Sequence, residues 1–231
     1  VIYKENTDND LFEMTYHFNY GKNQDPKIAL AASLMNYVGA GNLSPEDLKT
    51  EFYKLGAGYN FSTSTDGEET QITLSGLSEN MEASIKLFES LLENPVGTQE
   101  ALDKLVGRIL KSRSDAKKNK NLILSRHLYS YAKYGEVNPA SNVLTSEELM
   151  EFSVAELTDR IKELTKKQHR ILFYGNQDQK TLTNLVKTYH KIPESLKEVS
   201  DVETYSEKNY DEEYVFWTHF DMVQTEIILL S

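Results

Sequence analysis

Residues 11–41 read LFEMTYHFNYGKNQDPKIALAASLMNYVGAG. Phe12, Met14, Tyr16, Phe18 and Tyr20 fall on one side of an alternation, and Glu13, Thr15, His17 and Asn19 on the other. A repeat of two with one apolar side predicts a β-strand with a single buried face. Gly21 to Gln24 supply a turn. Asp25 and Pro26 then have the chemistry of a helix cap and first-turn residue, so a helix is expected directly after the strand. It should run to about Val38 and stop at Gly39-Ala40-Gly41.

The pattern continues outward from this unit. Ser44-Pro45-Glu46-Asp47 opens a second helix, and Gly56 ends it. Gly58–Ser64 and Thr70–Leu77 read as two strands around a turn at Thr65-Asp66-Gly67. Ser78 is expected to cap a helix whose stripe is Met81, Ile85, Phe88 and Leu92, closed by Asn94-Pro95. Thr98 caps a longer helix with Leu102, Leu105, Ile109 and Leu110 inside. The basic stretch Lys111–Lys120 interrupts the apolar pattern, and Leu122–Tyr134 resumes it. Thr145 with Glu148 and Ser153 with Glu156 mark two more helix starts. Arg170–Tyr174 reads as a short buried strand, and Asp178–His190 as a helix stopped by Pro193. This order predicts an α+β domain over residues 1–193, with an antiparallel or mixed sheet and helices packed on one face. Residues 194–213 are acidic and weakly patterned, and read as a linker. Tyr214–His219 and Val223–Leu230 read as a hairpin that opens a second domain or pairs back onto the first.

Composition narrows the function. The 231 residues carry a formal charge of −11, which repels nucleic-acid phosphates and attracts cationic peptides in a salt-dependent way. The absence of Cys removes disulfides, thiolate ligands and Cys nucleophiles. No apolar run approaches the ~18 residues of a membrane span. The sequence starts at Val1 inside a strand-like stretch without Met or signal peptide and reads as a piece of a longer protein, so its compartment stays open, a periplasmic or otherwise exported parent included. The five His are His17, His127, His169, His190 and His219, and no two are spaced to share a metal on one helix face. His219 and Asp221 read as a solvent-facing polar pair. The segment Lys104–Arg126 holds eight Lys or Arg against Asp103 and Asp115; it reads as a solvated face, or else as a local contact for an acidic group.

The stretch LFEMTYHFNYGKNQDPKIALAASLMNYVGAGNLSPEDLKTEFYKLGAGYNFSTSTDGEETQITLSGL, with SENMEASIKLFESLLENP and RILFYGNQDQKTL further on, resembles one domain of the pitrilysin/insulinase-family zinc metallopeptidases. In catalytic halves of that family a His-x-x-Glu-His helix follows the first strand. Two His hold zinc, and the Glu activates the bound water. Aligned on Gly41, the resemblance sets the first His on Ala32, the Glu on Met35 and the second His on Asn36. The third ligand, a Glu, falls near Lys111-Ser112-Arg113, and no Glu occurs between Ala101 and Gly135. The resemblance therefore implies a non-catalytic half with no catalytic residue and no metal of its own. Zinc is expected in a catalytic half, in the same chain or a separate subunit, and the shared substrate is a peptide. Asn60, Phe61, Ser62 and Thr63 match the family's edge strand, which in catalytic halves pairs with substrate and in this half contacts the peptide or only lines the chamber. A second reading is a structural subunit resembling the complex III core proteins, with no proteolytic role. Tyr214–Ser231 resembles the opening hairpin of the family's next domain.

Overall fold

The structure, a computed structural model, describes residues 1–199, 201 and 205–230. Strands β1 (Ile2–Glu5) and β2 (Leu11–Phe18) are followed by helix α1 (Pro26–Met35), the short strand β3 (Gly39–Ala40) and α2 (Pro45–Lys54). The hairpin β4 (Ala57–Thr63) and β5 (Thr70–Leu77) leads into α3 (Met81–Glu93), β6 (Pro95–Val96) and α4 (Gln99–Ala116). A helical run then comprises α5 (Lys120–Leu122), a π-helical stretch at Ile123–Leu128 and α6 (Tyr129–Tyr134). Helices α7 (Ser146–Glu151) and α8 (Val154–Thr165), strand β7 (Arg170–Gly175) and α9 (Gln179–Tyr189) complete the order.

Five strands form one mixed sheet in the order β1-β7-β2-β5-β4, and β3 pairs with β6 apart from it. All neighbours in the large sheet are antiparallel except β1 and β7, which run parallel with Ile2 opposite Leu172. The alternation in residues 11–18 has the expected consequence. Phe12, Met14, Tyr16 and Phe18 are at most 2% exposed, while Glu13 lies open to solvent. Each of these large side chains contributes roughly 1.5–3 kcal/mol by leaving water, which holds the register of β2 against both neighbours. On the opposite face Thr15 and Thr73, directly paired across strands, share a hydroxyl hydrogen bond of 3.0 Å.

The capping residues act as their chemistry predicts. Asp25 accepts from the Lys27 N–H, Ser44 from Asp47, Thr98 from Ala101, and Asp178 from Lys180 and Thr181. Thr145 and Glu148 form a reciprocal capping box; Ser153 accepts from the Glu156 N–H. Gly56 and Gly67 take φ of +59° and +82° where a helix ends and a hairpin turns, conformations that a side chain disfavours.

Three expectations are corrected. Helix α1 ends at Met35 rather than about Val38, because the Asn36 side chain is drawn into hydrogen bonds with β4 and Gly39–Ala40 pairs with Pro95–Val96. Ser78 does not cap α3; its hydroxyl is buried without a hydrogen-bond partner, and a 3₁₀ turn at Ser78–Asn80 leads into the helix. The stretches 214–219 and 223–230 form no strand among the described residues, and a two-stranded hairpin with no sheet to join is marginal in water.

The acidic segment 194–213 includes Ser200 and residues 202–204, which lie outside the described residues. Its remaining part is tied to the domain. Lys197 pairs with Glu163 at 2.7 Å, Lys133 with Glu207 at 2.8 Å, and the Tyr210 hydroxyl donates to the Ala132 carbonyl at 2.7 Å.

Candidate functional site

Helix α1 is apolar nearly all round, with Ile28, Leu30, Ala31, Ala32, Leu34 and Met35 buried against β4, α4 and α8. That environment decides what the positions that the resemblance aligns with the zinc motif can do. Ala32 is 1% exposed and Met35 is fully buried. Neither offers a hard ligand or a base. Asn36 follows at the helix end. Its Nδ2 donates to the Phe61 carbonyl at 3.0 Å and, more weakly, to the Ala32 carbonyl at 3.4 Å. Its Oδ1 accepts from the Phe61 N–H at 3.1 Å. The Phe61 N–H requires an acceptor and the Phe61 carbonyl a donor, which sets the orientation of the carboxamide.

The segment Lys111-Ser112-Arg113, near which the resemblance sets the third ligand, carries two cations. Arg113 donates to the Leu144 carbonyl at 2.7 Å. Nearby, the Arg108 guanidinium lies 4.5 Å from the centre of the Tyr37 ring and donates to its hydroxyl at 3.2 Å. Elsewhere in the basic segment, Lys104, Lys118 and Lys120 pair with Glu100, Asp115 and Glu226. Among the described residues no group of three or more His, Asp or Glu is placed to hold a metal ion. No helix among them is long and apolar enough to cross a membrane.

The expected peptide-contact residues lie on β4, the terminal strand of the sheet. In an antiparallel ladder alternate residues turn their N–H and C=O toward the neighbour. Asn60 and Ser62 face β5 in this way, opposite Thr73 and Gln71. Phe61 and Thr63 turn theirs to the open side, where Asn36 takes those of Phe61. The Phe61 side chain is buried, Ser62 and Thr63 are half-buried, and Asn60 is exposed.

A second constellation escaped sequence reasoning. The Tyr16 hydroxyl donates to Glu89 Oε1 at 2.5 Å. His190 Nδ1 lies 3.1 Å from both Glu89 carboxylate oxygens. His190 Nε2 lies 3.1 Å from His169 Nε2, and His169 Nδ1 lies 2.7 Å from the Lys167 carbonyl. The carboxylate and the carbonyl only accept, so both Nδ1 atoms face acceptors as donors. Burial lowers the His169 pKa, although the Lys167 carbonyl partly counters this. Burial, then the Glu89 charge, holds the Tyr16 pKa well above its ordinary value, so the phenol stays a donor. Tyr16, Glu89 and His190 are each at most 6% exposed, which makes the chain a buried brace between β2, α3 and α9. No spacing rule joins His169 to His190. The available signal was Glu89, an acidic residue four beyond Ile85 and three before Leu92 on the apolar stripe of α3.

No protein-family model and no curated protein matches the chain. Solved structures do. An M16 peptidase inactive domain from Pseudomonas fluorescens superposes with a TM-score of 0.72 at 18% identity, over 88% of this chain and 50% of that one. The periplasmic protease PqqL from Escherichia coli gives 0.69 at 16%, over 87% of this chain and 22% of that one. A protease from Helicobacter pylori gives 0.60 at 14%, over 87% and 50%. The chain thus has the fold of an M16 peptidase domain and spans half or less of the length of these proteins.

Proposed function

We propose that the chain is the non-catalytic half of a pitrilysin-type zinc endopeptidase, which closes the substrate chamber and contacts peptide alongside a catalytic half in the same chain or a separate subunit. The observation that supports the reading is the state of α1 within this fold: at the positions that the resemblance aligns with the zinc motif lie buried Ala32 and Met35 and an Asn36 carboxamide committed to β4, in place of two imidazoles and a carboxylate. Zinc belongs to the catalytic half in this reading. Arg113 in place of an anionic ligand supports it, because a cation opposes a metal ion. Residues 214–230 present Val215, Trp217, Ile227 and Leu229 to solvent, an apolar surface that suits packing against a further domain. An exported parent fits the reading as well, on the description of one neighbour as periplasmic.

The test is complementation. The chain is mixed with the His-x-x-Glu-His half encoded in the same reading frame or beside it, and cleavage of an unstructured peptide is followed. The reading predicts that cleavage by the catalytic half rises when this chain is added. Equal cleavage with and without it, or absence of such a half from both reading frames, would favour the purely structural subunit.

A further inference from the structure

We infer that Asn36 closes the β4 edge of this domain against strand pairing, so that peptide meeting this half does not extend the sheet at Phe61. The inference builds on the peptide-contacting reading above. An incoming antiparallel strand bonds to every second residue of an edge, and on β4 those residues are Tyr59, Phe61 and Thr63. The middle one is taken. Asn36 gives Phe61 one donor and one acceptor, the same pair a strand residue would give, at 3.0 and 3.1 Å. The carboxamide therefore substitutes for a single residue of an absent strand.

Its position is held from behind. Asn36 follows a fully buried Met35 at the end of a helix packed on β4, and its remaining N–H is directed at the Ala32 carbonyl. A peptide could displace it only by leaving the carboxamide without partners in a half-buried place, at the cost of the bonds already made. With Phe61 occupied, the open groups of Tyr59 and Thr63 are four residues apart and cannot be joined in one continuous ladder. A single polar side chain thus changes this half from a strand-binding edge into a wall, to which peptide can bind only through side chains. Covering an exposed edge in this way also protects it from pairing with other chains.

The experiment is amide hydrogen exchange and chemical-shift mapping by NMR on the ¹⁵N-labelled chain and on Asn36→Ala and Asn36→Asp. The probe is an end-capped decapeptide of alternating Thr and Val. In the wild type the Phe61 amide should be protected, and the probe should leave Tyr59, Phe61 and Thr63 unmoved. Asn36→Ala should speed Phe61 exchange by ~10-fold, the equivalent of one hydrogen bond, and allow the probe to perturb all three amides. Asn36→Asp keeps an acceptor for the Phe61 N–H and should keep that amide protected. Pairing of the probe with β4 in the wild type would overturn the inference. So would Phe61 protection that is unchanged in Asn36→Ala, or an opened edge that still excludes the probe. None of these readouts depends on zinc or on cleavage, so failure of the edge closure is distinguishable from failure of the non-catalytic reading.

Discussion

Replacing Glu89 by Ala should be among the most damaging single changes to this domain. The carboxylate is 5% exposed and receives two donors, the Tyr16 hydroxyl at 2.5 Å and His190 Nδ1 at 3.1 Å. Removing it leaves a phenol and an imidazole N–H buried without their acceptor. Each buried donor left without an acceptor costs about 1–3 kcal/mol. Against a typical total of about 5–15 kcal/mol, that is a large fraction of the stability. Glu89→Gln separates charge from shape. Its carbonyl still accepts from Tyr16, and its NH₂ can donate to His190 Nδ1. His190 then donates from Nε2 to His169, which donates from Nδ1 to the Lys167 carbonyl, and two neutral imidazoles satisfy every contact. Gln should therefore cost at least ~1 kcal/mol less than Ala. The assay is urea unfolding at pH 7 followed by far-ultraviolet circular dichroism. Tryptophan fluorescence is unsuitable because Trp217, the single Trp, is 80% exposed in the C-terminal segment and does not report the core. An Ala variant within ~1 kcal/mol of wild type, or a Gln variant as unstable as Ala, would refute the role of Glu89 as the shared acceptor of this cluster.

Three further outcomes are expected. Burial holds the His169 pKa below its ordinary value of about 6.5, so the unfolded chain binds a proton that the folded chain refuses; the stability this gives is complete above about pH 6.5 and falls as pH drops toward the folded pKa, and thermal melts from pH 7 to 5 should show a slope that His169→Gln reduces. Thr145→Ala removes a capping box and should cost about 1 kcal/mol, lowering the melting temperature by about 2–4 °C; an unchanged melting temperature would show that α7 does not contribute to the cooperative unit. Met35→Ala should cost about 2–5 kcal/mol as a core cavity, whereas Tyr53→Ala, at a position 84% exposed, should stay within about 0.5 kcal/mol; equal effects would contradict the packing of α1.

What could be read in the sequence was local and periodic. The alternation of residues 11–18 gave the buried face of β2, and Asp25, Ser44, Thr98, Thr145, Ser153 and Asp178 marked their helices because a cap needs only its own turn. What could not be read depended on contacts between distant residues. The parallel pairing of Ile2–Glu5 with Leu172–Gly175 joins opposite ends of the domain, and no pattern in four residues announces it. The early end of α1 follows from Phe61, 25 residues further on, and the pairing of His169 with His190 crosses 21. The pattern at 214–230 was strand-like, but a strand also needs a neighbour to pair with, and among the described residues none is formed there. For the candidate site, the resemblance pointed to Ala32, Met35 and Asn36; that Asn36 occupies the edge of β4 required the structure.

The central claim is tested most directly by the zinc content of the purified chain, measured after mild dialysis and again after titration with added zinc, with hydrolysis of an unstructured peptide followed in parallel. The account predicts no stoichiometric zinc and no zinc-dependent cleavage by this chain alone. One tightly held zinc per chain, with cleavage abolished by a chelator, would contradict it and place a metal site on residues other than Ala32, Met35 and Asn36.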